Sequence, residues 1–305
     1  MTTPRISVLI ATADRPALLA GLLDSLSASR FGEAEVLVLD QSRTDATPPE
    51  VNRGGLPIRF IRCPRRGKSA ALNLGVREAR APWLAFTDDD CLVAEDWLEV
   101  IDREARGSGS RCALTGRVVP GSPEGEAVTA PSLREQDLET TYTAPSFRDV
   151  LFGNNMAIPA ELLRKTGCFD EGLGPGTPAP AAEDNDLGYR LLQAGVPIRY
   201  LPAMVVTHRS WRRGPDQVKV FGGYGVGQGT FYGKHLRRGD LHMAARMARN
   251  LWDAGRDLGG AILLGRRQDV QASGAFARGL VRGFLRAAWS GNGGPAGPAA
   301  VTEEP

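Results

Sequence analysis

Two acidic clusters carry the side chains best suited to chemistry, Asp88-Asp89-Asp90 and Glu183-Asp184-Asn185-Asp186. The first closes the apolar run Trp83-Leu84-Ala85-Phe86, so its packed negative charge needs a counter-charge. In extended chain, residues two apart point the same way, so Asp88 and Asp90 can share a ligand while Asp89 turns elsewhere. Oxygen donors of this kind suit Mg²⁺ or Mn²⁺. A site with one or two carboxylates leaves coordination positions for phosphate oxygens. A solvated turn or a helix N-terminus is the plain structural alternative, since acids are favoured there. Glu183-Asp184 precedes a helical stretch and follows a Gly/Pro run. A carboxylate there can act as a general base that a closing loop covers. Asp184 or Asp186 can equally cap the helix.

His208, one of three histidines, precedes Arg209, Trp211, Arg212 and Arg213. It is either a structural residue or a metal ligand through a neutral ring nitrogen. Lys68 heads a helical segment, where it can meet a diphosphate or stand in solvent. Gly67-Lys68-Ser69 lacks the full P-loop spacing, and no G-x-G-x-x-G follows the first strand, which argues against nicotinamide or flavin chemistry. The glycines at 222, 223, 225, 227 and 229 come too late in the chain and lack a strand–helix setting.

The elements that must position these groups alternate in period. Ile6-Ser7-Val8-Leu9-Ile10 reads as a buried strand, followed by Pro16 at a first helical position and leucines 18, 19, 22, 23 and 26 at helical spacing. Val36–Leu39, Ile58–Ile61 and Trp83–Phe86 read as further strands, with a helix over Ser69–Arg80. This order predicts βαβ units and a mostly parallel central sheet with helices on both faces, ligands gathering beyond the carboxyl ends of its strands. Residues 107–180 are less regular, and Gly172–Pro180 is expected to be a mobile loop. Leu187–Ala194 reads as a helix ended by Gly195, and Ile198–Leu201 and Met204–Val206 as two short strands.

With 305 residues, 42% hydrophobic and 24% charged, the chain has the balance of a globular protein with a large core. Wholesale disorder and a disulfide-stapled miniprotein are excluded. Cys63, Cys91, Cys112 and Cys168 show no metal or redox spacing and predict reduced thiols and a cytoplasmic setting. No stretch reaches the roughly 20 apolar residues needed to cross a bilayer. The net charge of +2 hides an asymmetry: residues 1–208 hold 22 basic and 28 acidic side chains, residues 209–305 hold 15 and 7. Such a sign change suggests a tail that faces something anionic.

Taken in order, these pieces resemble the family 2 inverting glycosyltransferases, which have the A-type glycosyltransferase fold. The resemblance rests on Ser7–Pro16, on Asp40-Gln41-Ser42-Arg43-Thr44-Asp45, and on Gly67–Asn73 with Gly75. It continues through Trp83–Asp90, Gly153-Asn154-Asn155-Met156-Ala157, Gly167–Glu171 and Glu183–Arg190. Ala11, Ala13 and Asp14 depart from the usual first loop, where a Tyr can stack on the base. Gln41, Ser42 and Arg43 depart from the second turn.

The resemblance implies a nucleotide-sugar donor held by Thr12, Asp14, Arg15, Asp40, Lys68, Asn73, Asp88 and Asp89, with Asp40 accepting a hydrogen bond from the base. It implies Mg²⁺ or Mn²⁺ on Asp90 and His208, and a catalytic base at Asp184. Asn154, Asn155, Glu183 and Trp211 would face a carbohydrate or lipid-linked acceptor. Transfer to a hydroxyl with inversion, in polysaccharide or other cell-envelope glycoconjugate synthesis, is the activity expected. A nucleotidyltransferase and a non-catalytic sugar-nucleotide-binding scaffold are the competing readings.

The expected organisation is a catalytic domain over 1–213, divided into a donor half (1–106) and an acceptor half (107–213). A basic amphipathic helical extension (214–290) and a flexible tail (291–305) follow. In the extension Phe276, Leu280, Phe284 and Ala288 recur every four residues opposite Arg278, Arg282 and Arg286. Such segments can lie on an anionic membrane surface as a peripheral attachment, or pack as a hairpin on the catalytic domain or in a homodimer. Nucleic acid is not an expected partner, because the basic residues lack interleaved aromatics and a recognition motif.

Overall fold

The computed structural model describes residues 3–43, 51–53, 55–122, 132–209 and 214–289. The first part of the chain contains β1 (Ile6–Thr12), α1 (Pro16–Ser27), β2 (Ala34–Asp40), β3 (Val51–Arg53), β4 (Leu56–Arg62), α2 (Lys68–Glu78) and β5 (Trp83–Phe86). The middle adds β6 (Cys91–Val93), α3 (Trp97–Ser108), β7 (Ala113–Pro120), β8 (Thr140–Tyr142), β9 (Met156–Pro159), α4 (Ala160–Lys165), α5 (Glu183–Gln193) and β10 (Ile198–His208). Three helices close the chain: α6 (Gly214–Arg237), α7 (His242–Leu263) and α8 (Arg267–Trp289).

The strands form one sheet in the order β3-β4-β2-β1-β5-β9-β7-β10-β6, with β8 pairing on β10. The half built from β4, β2, β1 and β5 is parallel. On the other side β9 pairs antiparallel with β5 and β7, and β10 returns parallel to β7. The fold is thus α/β with a mostly parallel mixed sheet, as the alternation of periods predicts.

Burial explains why β1 and β2 are continuous apolar runs, since both faces of the parallel half are covered. Val8, Ile10, Val36 and Val38 pack with Leu22 and Leu26 of α1 and with Ile101 of α3. Their alternates Leu9, Leu37 and Leu39 pack with Ala71, Leu72 and Val76 of α2 and with Leu187 and Leu191 of α5. The acidic residues therefore emerge where the strands run out.

Three elements differ from their sequence reading. The two short strands near 200 are one strand, β10, whose register against β7 shifts between Leu201 and Val205, so Pro202 and Ala203 sit in an irregularity that keeps the strand continuous. The Gly172–Pro180 segment, expected to be mobile, is fastened to α2: the Lys68 N–H donates to Pro175 O at 2.9 Å, and Ser69 Oγ to Leu173 O at 2.7 Å. Thr177 Oγ1 closes the segment on itself through Gly174 O and Ala179 O.

The late glycines lie inside α6 and form a seam with α8. A methyl group at Gly225, Gly229 or Gly233 would stand 2.2, 2.0 and 2.6 Å from the backbone oxygens of Phe276, Leu280 and Phe284. Gly279 and Gly283 reciprocate against Gly222 O and Val226 O at 2.4 and 2.2 Å. Glycine spacing of four thus brings two helix backbones together. The apolar stripe of α8, with Leu280 fully buried, is consumed by that contact. Asp186, fully buried, ties α5 to α6, accepting from Arg190 Nε at 2.7 Å and meeting His235 Nε2 at 2.8 Å and Lys234 Nζ at 3.2 Å. That is its task, in place of capping.

Candidate active site

The carboxyl ends of the parallel strands, the head of α2 and the head of α5 surround one cavity of about 630 Å³. On one side Thr12 ends β1 and Arg15 follows it, Lys68 opens α2, and Asp88, Asp89 and Asp90 follow β5. His208 enters from the end of β10, beside β6. On the opposite side stand Asn154, Glu183 and Asp184. Two acidic clusters far apart in sequence therefore face one space.

Lys68 links the two sides. Its Nζ lies 2.5 Å from Asp88 Oδ1 and 3.4 Å from Glu183 Oε1. Burial opposes its charge, but the carboxylates of Asp88 and Glu183 outweigh it and hold the ammonium well above the ordinary lysine range. Lys68 is thus a permanent cation between the clusters. Arg15 adds a second, 3.1 Å from Asp89 Oδ1 and 3.4 Å from Asp90 Oδ2.

Asp89 is a structural tie as well as part of the cavity wall. Thr12 Oγ1 donates to its Oδ2 at 2.8 Å, which joins the end of β1 to the turn after β5. Burial raises its pKa against the pull of Thr12 and Arg15. Asp90 goes the other way. Burial acts against its charge, but His208, Arg15 and Lys68 together hold it well below the usual carboxylate range. His208 Nε2 is 3.4 Å from Asp90 Oδ1.

Asp90, Cys91 and His208 bring three donor atoms within 4.8 Å of one another, all three residues being buried. Burial, with Asp88 and Asp90, pushes the Cys91 thiol well up, so it stays protonated and is a poor donor to a hard cation. One ionised carboxylate and one imidazole remain, a set that fits a divalent cation with open positions for phosphate oxygens or water.

The Asp184 side is built with equal care. Ala182, in the left-handed region at φ 71°, turns the chain directly into α5. Asp184 follows two residues on. Its Oδ2 accepts the Gly153 N–H at 2.8 Å and its Oδ1 the Asn185 N–H at 2.8 Å. Burial, then the neighbouring Glu183, raises its pKa to about 7, with the Gly153 N–H and Lys68 opposing. A carboxyl poised there suits general-base work near neutrality. Asn154, on the adjoining turn, is 5% exposed, and its Oδ1 has no hydrogen-bond partner among the described residues.

Four expected site residues have other tasks, because their polar atoms are spent within the protein. Asn73 donates to Phe169 O and Glu171 Oε1 and accepts the Phe169 N–H, so it clamps α2 to the segment before the Gly/Pro run. Asn155 holds β9, β7 and β10 together, donating to Arg117 O and Met204 O and accepting from Trp97 Nε1. Asp14, exposed and left-handed at φ 56°, binds Arg43 instead of the cavity. Asp40 accepts the Ser42 N–H and meets Arg62, while its neighbour Gln41 lines the cavity. Trp211 lies outside the described residues, as does Thr44-Asp45.

Sequence reading missed the part of the wall that α6, α7 and α8 supply: Tyr224, Gln228, Asn250 and Phe276, with Asp149 from the loop before β9. Gln228 donates to Asp149 and Tyr232 and accepts from Asn185 Nδ2 at 2.9 Å, one residue from Asp184. The available signal was uncharged polar residues on helix faces otherwise given to packing.

Comparison with known proteins agrees with this geometry. The family model "Glycosyl transferase family 2" matches residues 7–158. Validoxylamine A glucosyltransferase of Streptomyces hygroscopicus subsp. jinggangensis (strain 5008) is 27% identical over 241 residues, covering 68% of this chain and 54% of that protein. Succinoglycan biosynthesis protein ExoO of Rhizobium meliloti (strain 1021) is 29% identical over 140 residues, covering 43% of this chain and 40% of that protein. The chain thus spans about half the length of the curated relatives it matches, or less.

Among solved structures, a mannosyltransferase from Pyrobaculum calidifontis in complex with GDP-Man and Mn²⁺ superposes with a TM-score of 0.62 at 18% identity, covering 96% of this chain and 89% of the other. That likeness speaks for the fold, and the sequence match speaks for the lineage. With its acidic clusters gathered at the strand ends of this fold, the chain resembles the family 2 glycosyltransferases, whose model matches it over residues 7–158.

Proposed function

We propose that the chain transfers a hexosyl group from a nucleotide-diphosphate sugar to an acceptor hydroxyl, with inversion at the anomeric carbon and with Mg²⁺ or Mn²⁺ as cofactor. The observation that carries this reading is the placement of Asp184 and of Asp90 with His208 on the walls of one cavity, with Lys68 between the clusters. Asp90 and His208 would hold the cation, which when bound supplies positive charge to the diphosphate. Lys68 and Arg15 add fixed positive charge at the same end, where negative charge grows as the bond from the sugar to the diphosphate breaks.

Asp184 takes the proton of the acceptor hydroxyl as its oxygen bonds to the anomeric carbon, and the nucleoside diphosphate leaves from the opposite face. One base and no protein nucleophile make a single displacement, hence inversion. Asn154, with its free buried oxygen, is placed to orient a hydroxyl of sugar or acceptor. Glucosyl and mannosyl transferases among the similar proteins, and a succinoglycan biosynthesis protein, support hexosyl transfer in polysaccharide or envelope glycoconjugate synthesis.

The test is incubation of the purified chain with a panel of nucleotide-sugars and candidate acceptors, with and without Mn²⁺. Release of nucleoside diphosphate and a product of inverted anomeric configuration by NMR are expected. Pyrophosphate release would point to nucleotidyl transfer. Tight donor binding without turnover would point to a scaffold.

A further inference from the structure

Eight of the ten large hydrophobic side chains exposed among the described residues lie between 241 and 289, a stretch with eight arginines against three aspartates. All those arginines except Arg246 are exposed. The clearest concentration is the turn that joins α7 to α8. Ile262, Leu263 and Leu264 are 60, 89 and 66% exposed, Gly265 reverses the chain at φ 65°, and exposed Arg266 and Arg267 follow at once. Consecutive residues on a helix are about 100° apart, so these three cover more than half its circumference. A flat protein surface covers one side of such a tip, whereas lipid surrounds it.

From this geometry we propose that the α7–α8 hairpin docks on an anionic lipid bilayer, its tip entering the boundary between headgroups and acyl chains. Trp252, about three turns back on the same face of α7 as Leu263, stands between exposed Arg249 and Arg256. An indole beside guanidinium groups is the side-chain pairing favoured at a bilayer interface. On α8, Val281, Leu285 and Trp289 lie beside Arg278, Arg282 and Arg286 on the arc that faces away from α6. The stripe of Phe276, Leu280 and Phe284 is unavailable, because α6 covers it. Asp253 lies near Arg249 and Arg256, at 3.8 and 3.6 Å, but the excess of eight arginines over three aspartates leaves a net positive stretch that selects phosphate-bearing headgroups. The inference stands apart from sugar transfer and is read without turnover.

Its test is co-sedimentation of the full chain with vesicles of phosphatidylcholine alone and of phosphatidylcholine mixed equally with phosphatidylglycerol. Binding to the anionic vesicles, weakened by salt and by omission of phosphatidylglycerol, is expected. The triple variant Ile262→Ser/Leu263→Ser/Leu264→Ser should lose at least about tenfold in partitioning. The pair Arg266→Ala/Arg267→Ala should lose about fivefold per arginine at low salt. Unchanged thermal unfolding shows that each variant is folded, as the exposure of these residues requires. No binding to anionic vesicles, equal binding of variant and parent, or loss of self-association in the serine variant without any vesicle binding would each overturn the proposal.

Discussion

Gly153 holds Asp184 by a single backbone hydrogen bond, N to Oδ2 at 2.8 Å, and a side chain at Gly153 would meet that same carboxyl at 3.2 Å. The turn before β9 thus aims the head of α5, and a side chain at Gly153 would crowd the carboxyl it holds. The other carboxyl oxygen takes the Asn185 N–H. Each oxygen keeps a lone pair, so the carboxyl is oriented as the proposed general base requires.

Asp184→Asn should reduce transfer by at least about a hundredfold, in line with loss of a positioned general base. Donor affinity should stay within about threefold, since the donor-side cations are untouched. The amide sets an NH₂ against one backbone N–H but also removes a buried charge, so the change in unfolding free energy should be within about 2 kcal/mol. Calorimetric donor titration and denaturant unfolding separate these effects. A parallel loss of donor binding would make Asp184 a binding residue.

The rate should fall as pH drops through about 7, because Asp184 must be deprotonated to accept a proton and its pKa is raised to that range. Burial is the larger cause and Glu183 the next. Glu183→Gln removes the like charge and should move the acidic limb of the rate profile to lower pH. Lys68→Met removes a favourable cation and should move it to higher pH. A limb that stays put in both variants would assign it to another group.

His208→Ala should lower the apparent affinity for Mn²⁺ in donor binding by roughly tenfold or more, leaving Asp90 as the remaining charged donor. Isothermal titration of donor at graded Mn²⁺ reads this directly. Asp90→Asn should be more damaging, because it removes the anionic donor.

Gly229→Ala is the sharpest test of the helical seam. On an open helix face alanine gains about 1 kcal/mol over glycine. Here the added methyl would stand 2.0 Å from Leu280 O, backbone that cannot swing away. The expected result is a loss of about 1–3 kcal/mol in denaturant unfolding, with early proteolytic cleavage in α8.

Much of the cavity lining was legible because its residues sit at strand ends, and strand ends follow from apolar runs. Asp88–Asp90 after Phe86, Thr12 at the end of β1 with Arg15 beyond it, and Asp184 at the head of α5 all line the cavity as residue order suggests. Asn73 and Asn155 were misjudged for a physical reason. An amide that clamps loops and one that binds a ligand have the same one-letter signature, and only the positions of Phe169 O, Arg117 O and Met204 O distinguish them. The glycines of α6 were equally mute, since close helix contact and a phosphate loop both call for residues without side chains.

The amino-acid order by itself determined the alternation of strand and helix, the acidic ends of the strands and the charge asymmetry of the tail, because these depend on local period and residue type. Tertiary structure alone decided that Lys68 stands between Asp88 and Glu183, that Glu183 and burial lift Asp184 toward neutrality, and that α6, α7 and α8 complete the wall. Electrostatic energy depends on separations and dielectric surroundings across the fold, which no local pattern encodes.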